Sequence, residues 1–221
     1  MQSNRDSMIA RIKRSLQSAH LPAAISDISP RGLEPATDSL VESFVREAMA
    51  VKAEVHRPAT RGEAIETVME LLRDTKEILA WADSDLPLQL GDVLRTTGIQ
   101  RLDPALPTDS DARRTKLAEL GRASAGLTGA FAGLADTGTL ALLSGPARSR
   151  LASLLPPIHI ALLPVNTLYP NMAAFFAAHP ESVREASNLV FITGPSRSAD
   201  IELTLTIGVH GPKTLHIVLL P

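Results

Sequence analysis

Charge is distributed so unevenly along this chain that it dictates two kinds of structure. The sequence holds 22 Lys and Arg and 24 Asp and Glu, yet only ten of these charged residues fall in residues 123–221. A back half with so few solvating groups must be mostly buried strand and tight turn. The front half reads as amphipathic helices whose polar faces meet water.

The local patterns agree. Residues 3–19 carry Met8, Ile9, Ile12 and Leu16 at helical spacing, with Ser3 and Asp6 as a capping pair. Pro22, Pro30 and Pro35 then interrupt a linker from His20 to Thr37. A second helix over 38–52 follows Asp38, with Val41, Phe44, Val45, Ala48 and Met49 on one face. From there short apolar strands alternate with helices. Strands are predicted at 53–57, 76–81 and 99–102, and helices at 60–74 (opened by a Thr60/Glu63 capping box), 86–97 and 109–120. Further strands are expected at 123–127, 139–143, 158–163, 188–192 and 215–220, with helical segments between most of them. Strict alternation favours a strand over 199–207, although Ser198 and Gly208 would also suit the ends of a helix. The pattern predicts an α/β fold whose sheet is mostly parallel and covered on both faces. Residues 1–37 form a helical appendage and linker, and 38–221 a single α/β domain.

Composition removes several functions. With no cysteine among 221 residues, disulfides, cysteine nucleophiles and thiolate-held iron–sulfur clusters are excluded from this chain. A net charge of −2 and an aromatic content of 3% offer neither a basic field nor stacking platforms for nucleic acid. The N-terminus is charged rather than secretory in pattern, and no apolar run approaches about 18 residues, so a soluble cytoplasmic protein without a membrane span is expected.

Three clusters carry polar groups suited to chemistry. The first runs from Gly126 to Thr139, where small residues would let backbone N–H groups approach an anion and Asp136, Thr137 and Thr139 surround Gly138. A tight turn between core strands is the structural alternative. The second, Gly194 to Glu202, follows the strand NLVFIT. It presents Ser196 and Arg197, a guanidinium able to grip a carboxylate or phosphate, with Asp200 and Glu202 as bases, partners of Arg197 or turn caps. The third is Gly208-Val-His-Gly-Pro212, in which His210, beside Gly211, is the best acid–base candidate. Six scattered histidines show no ligand spacing, so no metal is expected.

In this order ADTGT, TGPSRSADIE and GVHGP resemble the LUD-domain proteins of the lactate utilization protein C (LutC/YkgG) family. The resemblance runs from about residue 123 to the end, and in outline over 38–122. Family members often carry Glu where Asp136 stands. The resemblance implies a NagB/RpiA/CoA-transferase-like fold with Rossmann-like halves. It also implies a role in oxidising L-lactate to pyruvate beside two iron–sulfur subunits, which would hold the clusters while this chain binds no cofactor of its own. In that reading His210, Asp136 and Asp200 are the catalytic candidates, and Thr137, Gly138, Thr139, Gly194, Ser196, Arg197 and Gly211 contact a small carboxylate. Two other readings stay open: a scaffold or regulatory module, and an enzyme resembling CoA transferases or formyltetrahydrofolate cyclo-ligases, since fold does not decide function. The apolar face of the first helix would also permit a homodimer.

Overall fold

The structure, a computed structural model, describes residues 4–18, 40–199, 205–207 and 211–221. The chain divides into two units, Met1–Gly32 and Leu33–Pro221. The first contains α1 (Asn4–Ser18), the helix predicted from its apolar spacing.

The second unit begins with α2 (Leu40–Ala50), β1 (Glu54–His56), α3 (Arg61–Leu71) and β2 (Glu77–Ala80). The start of α3 is set by Thr60, whose hydroxyl accepts from Glu63 N at 3.1 Å, while the Glu63 carboxylate accepts from Ala59 N at 2.8 Å. A 3-10 turn at Asp83–Asp85, α4 (Gly91–Thr96), β3 (Gln100–Arg101) and α5 (Ser110–Leu120) follow, the last capped by the Asp109 carboxylate on Asp111 N and Ala112 N. Next come β4 (Ala125–Gly129), β5 (Ala132–Leu134), β6 (Thr139–Ser144), α6 (Leu151–Leu154), β7 (Ile158–Pro164) and β8 (Leu168–Tyr169). The chain closes with α7 (Met172–Ala178), α8 (Ser182–Glu185), β9 (Asn188–Ile192), β10 (Arg197–Ala199), β11 (Leu205–Ile207) and β12 (Thr214–Leu220).

Six strands form one parallel sheet in the order β1-β12-β7-β4-β2-β3. The inner strands β7 and β12 are mostly apolar, each interrupted by one histidine, because both their faces are covered. Among the described residues, no helix is long and apolar enough to cross a membrane.

Two features depart from the sequence reading. A second sheet, β8-β5-β6-β9, is antiparallel at β5–β6 and β6–β9. Its strand β5 lies inside the glycine-rich cluster expected to be a loop. A side chain at Gly133 would come within 2.7 Å of Leu168 Cδ2 and 2.9 Å of Leu163 Cδ2, so packing demands a residue type that carries no strand signal. The segment read as one strand over 199–207 contributes instead to two, since β10 and β11 pair antiparallel with Arg197 opposite Ile207.

The small sheet has its own core. Phe175 is fully buried, and its ring meets Phe131, Tyr169, Phe176 and Phe191 at 5.2–6.0 Å between centroids, mostly edge to face. Five of the chain's seven aromatic residues are thus spent on one cluster. We expect Phe175→Ala to cost about 3–5 kcal/mol, read from the shift in denaturant midpoint. A loss below about 1 kcal/mol would contradict this packing.

Candidate functional site

The first motif forms the hairpin turn between β5 and β6. Thr139 Oγ1 donates to Thr137 Oγ1 at 2.8 Å, and Thr137 Oγ1 donates to Asp136 Oδ1 at 3.1 Å. Thr193 Oγ1, beyond β9, joins this relay 2.8 Å from Thr139 Oγ1. Gly138 (φ +62°) and Gly194 (φ +79°) adopt backbone that favours glycine, and a side chain on either would collide with the α2 backbone at Ala48 or with the Val51 carbonyl just beyond that helix. Arg197 Nη2 donates to the same Val51 carbonyl at 2.6 Å, a cation seated at a helix carboxyl end. The first two motifs therefore grip the end of α2.

The second and third motifs also meet. Ser196 N donates to Pro212 O at 2.9 Å, and Gly211 packs on the Ser196 side chain. Gly194–Ser196 and Gly211–Pro212 wall a cavity of about 230 Å³, floored by His159 and Leu215. Asp136, Thr137, Gly138, Thr139 and Arg197 do not line it. Asp200 and His210 lie outside the described residues. The second motif does follow the strand NLVFIT, but that strand is not part of the parallel sheet. β9 belongs to the antiparallel sheet, and the cavity lies at the amino ends of β7 and β12.

The carboxyl edge of the parallel sheet holds a different crevice. The chain leaves β2 for the edge strand β3 on one side and later returns as β4 on the other, so the strand ends diverge at β2. Trp81 follows β2, Ala130 and Phe131 follow β4, and the loop 145–149 comes after β6. Trp81 Nε1 donates to Ser149 O at 3.1 Å and Ala82 N to Ala147 O at 3.1 Å. Within that loop Ala147 has φ +62°, a left-handed conformation that costs a non-glycine residue about 1–3 kcal/mol.

Two arginines line cavities here, each shared with Trp81. Arg101 Nη2 pairs with Asp83 Oδ1 at 2.6 Å, and Arg148 Nε lies 3.5 Å from Asp85 Oδ1. At that length the Arg148–Asp85 contact is a charge pairing without a hydrogen bond, and the Nε atoms of both arginines are buried with no acceptor. Arg148, Asp85, Trp81 and Phe131 line a cavity of about 260 Å³, and Arg101, Asp103, Trp81 and Ala147 line another of about 550 Å³. Buried donors without acceptors, beside a strained loop at the sheet's switch point, suit an anion. Sequence reasoning missed Arg148, although it is one of the few cations in residues 123–221.

Residues 41–220 match the LUD-domain family. This chain belongs to that family. It is 35% identical over 163 residues to lactate utilization protein C of Anoxybacillus flavithermus, covering 70% of this chain and 73% of that protein. With lactate utilization protein C of Halalkalibacterium halodurans it shares 33% identity, across 81% of this chain and 78% of the relative. Among solved structures it is similar to a DUF162-family protein of Deinococcus radiodurans. The TM-score is 0.60 at 23% identity, over 82% of this chain and 96% of that one, a likeness of fold.

One polar pair lies in the core of this LUD domain. His159 is 1% exposed, with Nε2 2.9 Å from Thr128 Oγ1, and burial pushes its pKa down to about 4 from 6.5. The imidazole is therefore neutral in the fold, while the unfolded chain takes up a proton below about pH 6.5. The stability this group contributes is complete above that pH and declines as pH falls toward 4, by roughly 3 kcal/mol in all. We expect His159→Gln, which keeps a partner for Thr128 but cannot titrate, to lose that much less stability than wild type between pH 6.5 and pH 4 in denaturant titrations. Identical pH profiles would contradict the assignment.

Proposed function

We propose that this chain is a lactate-utilization subunit that holds a short 2-hydroxy acid, or its keto product, in the crevice between the carboxyl ends of β2 and β4. Curated relatives named lactate utilization protein C, aligned across more than two thirds of both chains, support the pathway. The observation that carries the site is the buried Arg148 Nε–H without an acceptor. A ligand carboxylate paired with the Arg148 guanidinium forms a charge-assisted hydrogen bond. The neighbouring Asp85 supplies an acceptor for the 2-hydroxyl, and Trp81 supplies an apolar wall for a short alkyl group.

Converting L-lactate to pyruvate releases two electrons and two protons. A chain without cysteine offers no thiolates to hold an iron–sulfur acceptor, so in this reading the electrons pass to clusters on two partner subunits. Arg197 and the glycine motifs keep the end of α2 in position instead of clamping substrate.

The reading is tested by calorimetric titration with L-lactate and pyruvate. The wild-type chain is expected to bind, and Arg148→Gln to weaken binding about 10- to 100-fold, the value of one hydrogen bond to a charged group. Arg197→Gln should leave the affinity within about twofold, well inside the effect of one such bond. The reverse pattern, or no binding by wild type, would contradict it.

A further inference from the structure

The geometry points to a divalent-cation site at the opposite edge of the parallel sheet, formed by Glu54, His56 and His216 and able to hold a zinc-class ion with one position left for water. No ligand spacing signals it in the sequence, because the two histidines are 160 residues apart. The sheet brings them together. β1 and β12 are parallel neighbours with Glu54 in register with His216, and alternation along β1 puts Glu54 and His56 on the same side as that partner.

Their spacing is that of ligands sharing one ion. His56 Nε2 lies 3.2 Å from His216 Nδ1, which lies 3.5 Å from Glu54 Oε2, and the three ligand atoms all fall within 4.8 Å of one another. In a tetrahedral site with metal–ligand bonds of about 2.0–2.1 Å, neighbouring ligand atoms are about 3.3 Å apart. Two of the three edges therefore already have nearly the required length. A hydrogen bond between the imidazoles explains the first distance but gives no reason for a carboxylate at the second.

The surroundings favour a cation as well. The adjacent Arg57 makes two bonds to the Glu42 carboxylate, at 2.7 and 3.1 Å, so that guanidinium is engaged by a different carboxylate. His216 is buried, His56 is half-buried and Glu54 is exposed, so the ligand set is anchored in the sheet and opens toward solvent along the edge strand. Two imidazoles and a carboxylate suit zinc and its first-row neighbours better than magnesium or calcium. The site stands at β1 and β12, the crevice at β2 and β4, so one can fail without the other.

Equilibrium dialysis of the full chain against zinc, with elemental analysis, tests the assignment. Wild type is expected to retain one zinc ion at this site. Glu54→Gln and His56→Gln, both at accessible positions, should each weaken retention by more than the roughly 10- to 100-fold that a change in a metal's outer shell costs. Their unfolding curves without zinc should match wild type, and zinc should raise the melting temperature of wild type alone. His179→Gln should retain zinc as wild type does. Absence of zinc from wild type, or undiminished zinc in the Glu54 and His56 variants, would overturn the proposal.

Discussion

A parallel sheet buried on both faces has no room for polar chemistry within it, so its functional groups must gather at strand ends and edges. That constraint organises this protein. Apolar β7 and β12 fill the middle of the six-stranded sheet. Polar groups that could meet a ligand collect where β2 and β4 diverge, at the amino ends of β7 and β12, and along edge strand β1. A polar pair kept deep inside, Thr128 with His159, is satisfied by its own hydrogen bond, and burial holds the imidazole neutral.

The second sheet shows what two of the motifs touch. Its β5–β6 turn and the loop after β9 are tied by the Thr139–Thr193 contact, and each offers a glycine against the end of α2. Arg197 completes the seat by donating to a carbonyl that the helix leaves unpaired. These residues look like a ligand-binding constellation because small residues, hydroxyls and a guanidinium serve both purposes. Here they fix a helix across the junction of the sheets, and the guanidinium groups with buried donors to spare belong to Arg101 and Arg148.

Much of the parallel layer was legible in the sequence, because β2, β7 and β12 are apolar runs and the Thr60/Glu63 box marks where α3 begins. Strand β5 was not, since alanine and glycine chosen for close approach erase the β-branched signal. The orientation of β9 could not be read either, because nothing local distinguishes a parallel from an antiparallel neighbour. Long-range register hid the remaining groups. Arg148 meets Asp85 only through the fold, and His56 meets His216 only because the last strand lies beside the first. The family resemblance, by contrast, pointed correctly to the LUD domain from three short motifs.

The central claim is that the ligand's carboxylate belongs at the end of β2, beside Arg148. A crystal structure of the chain soaked with pyruvate tests it most directly. The account predicts density bridging the Arg148 guanidinium and the Trp81 face; ligand seated instead among Gly194, Ser196 and Gly211, with the β2–β4 crevice empty, would contradict it.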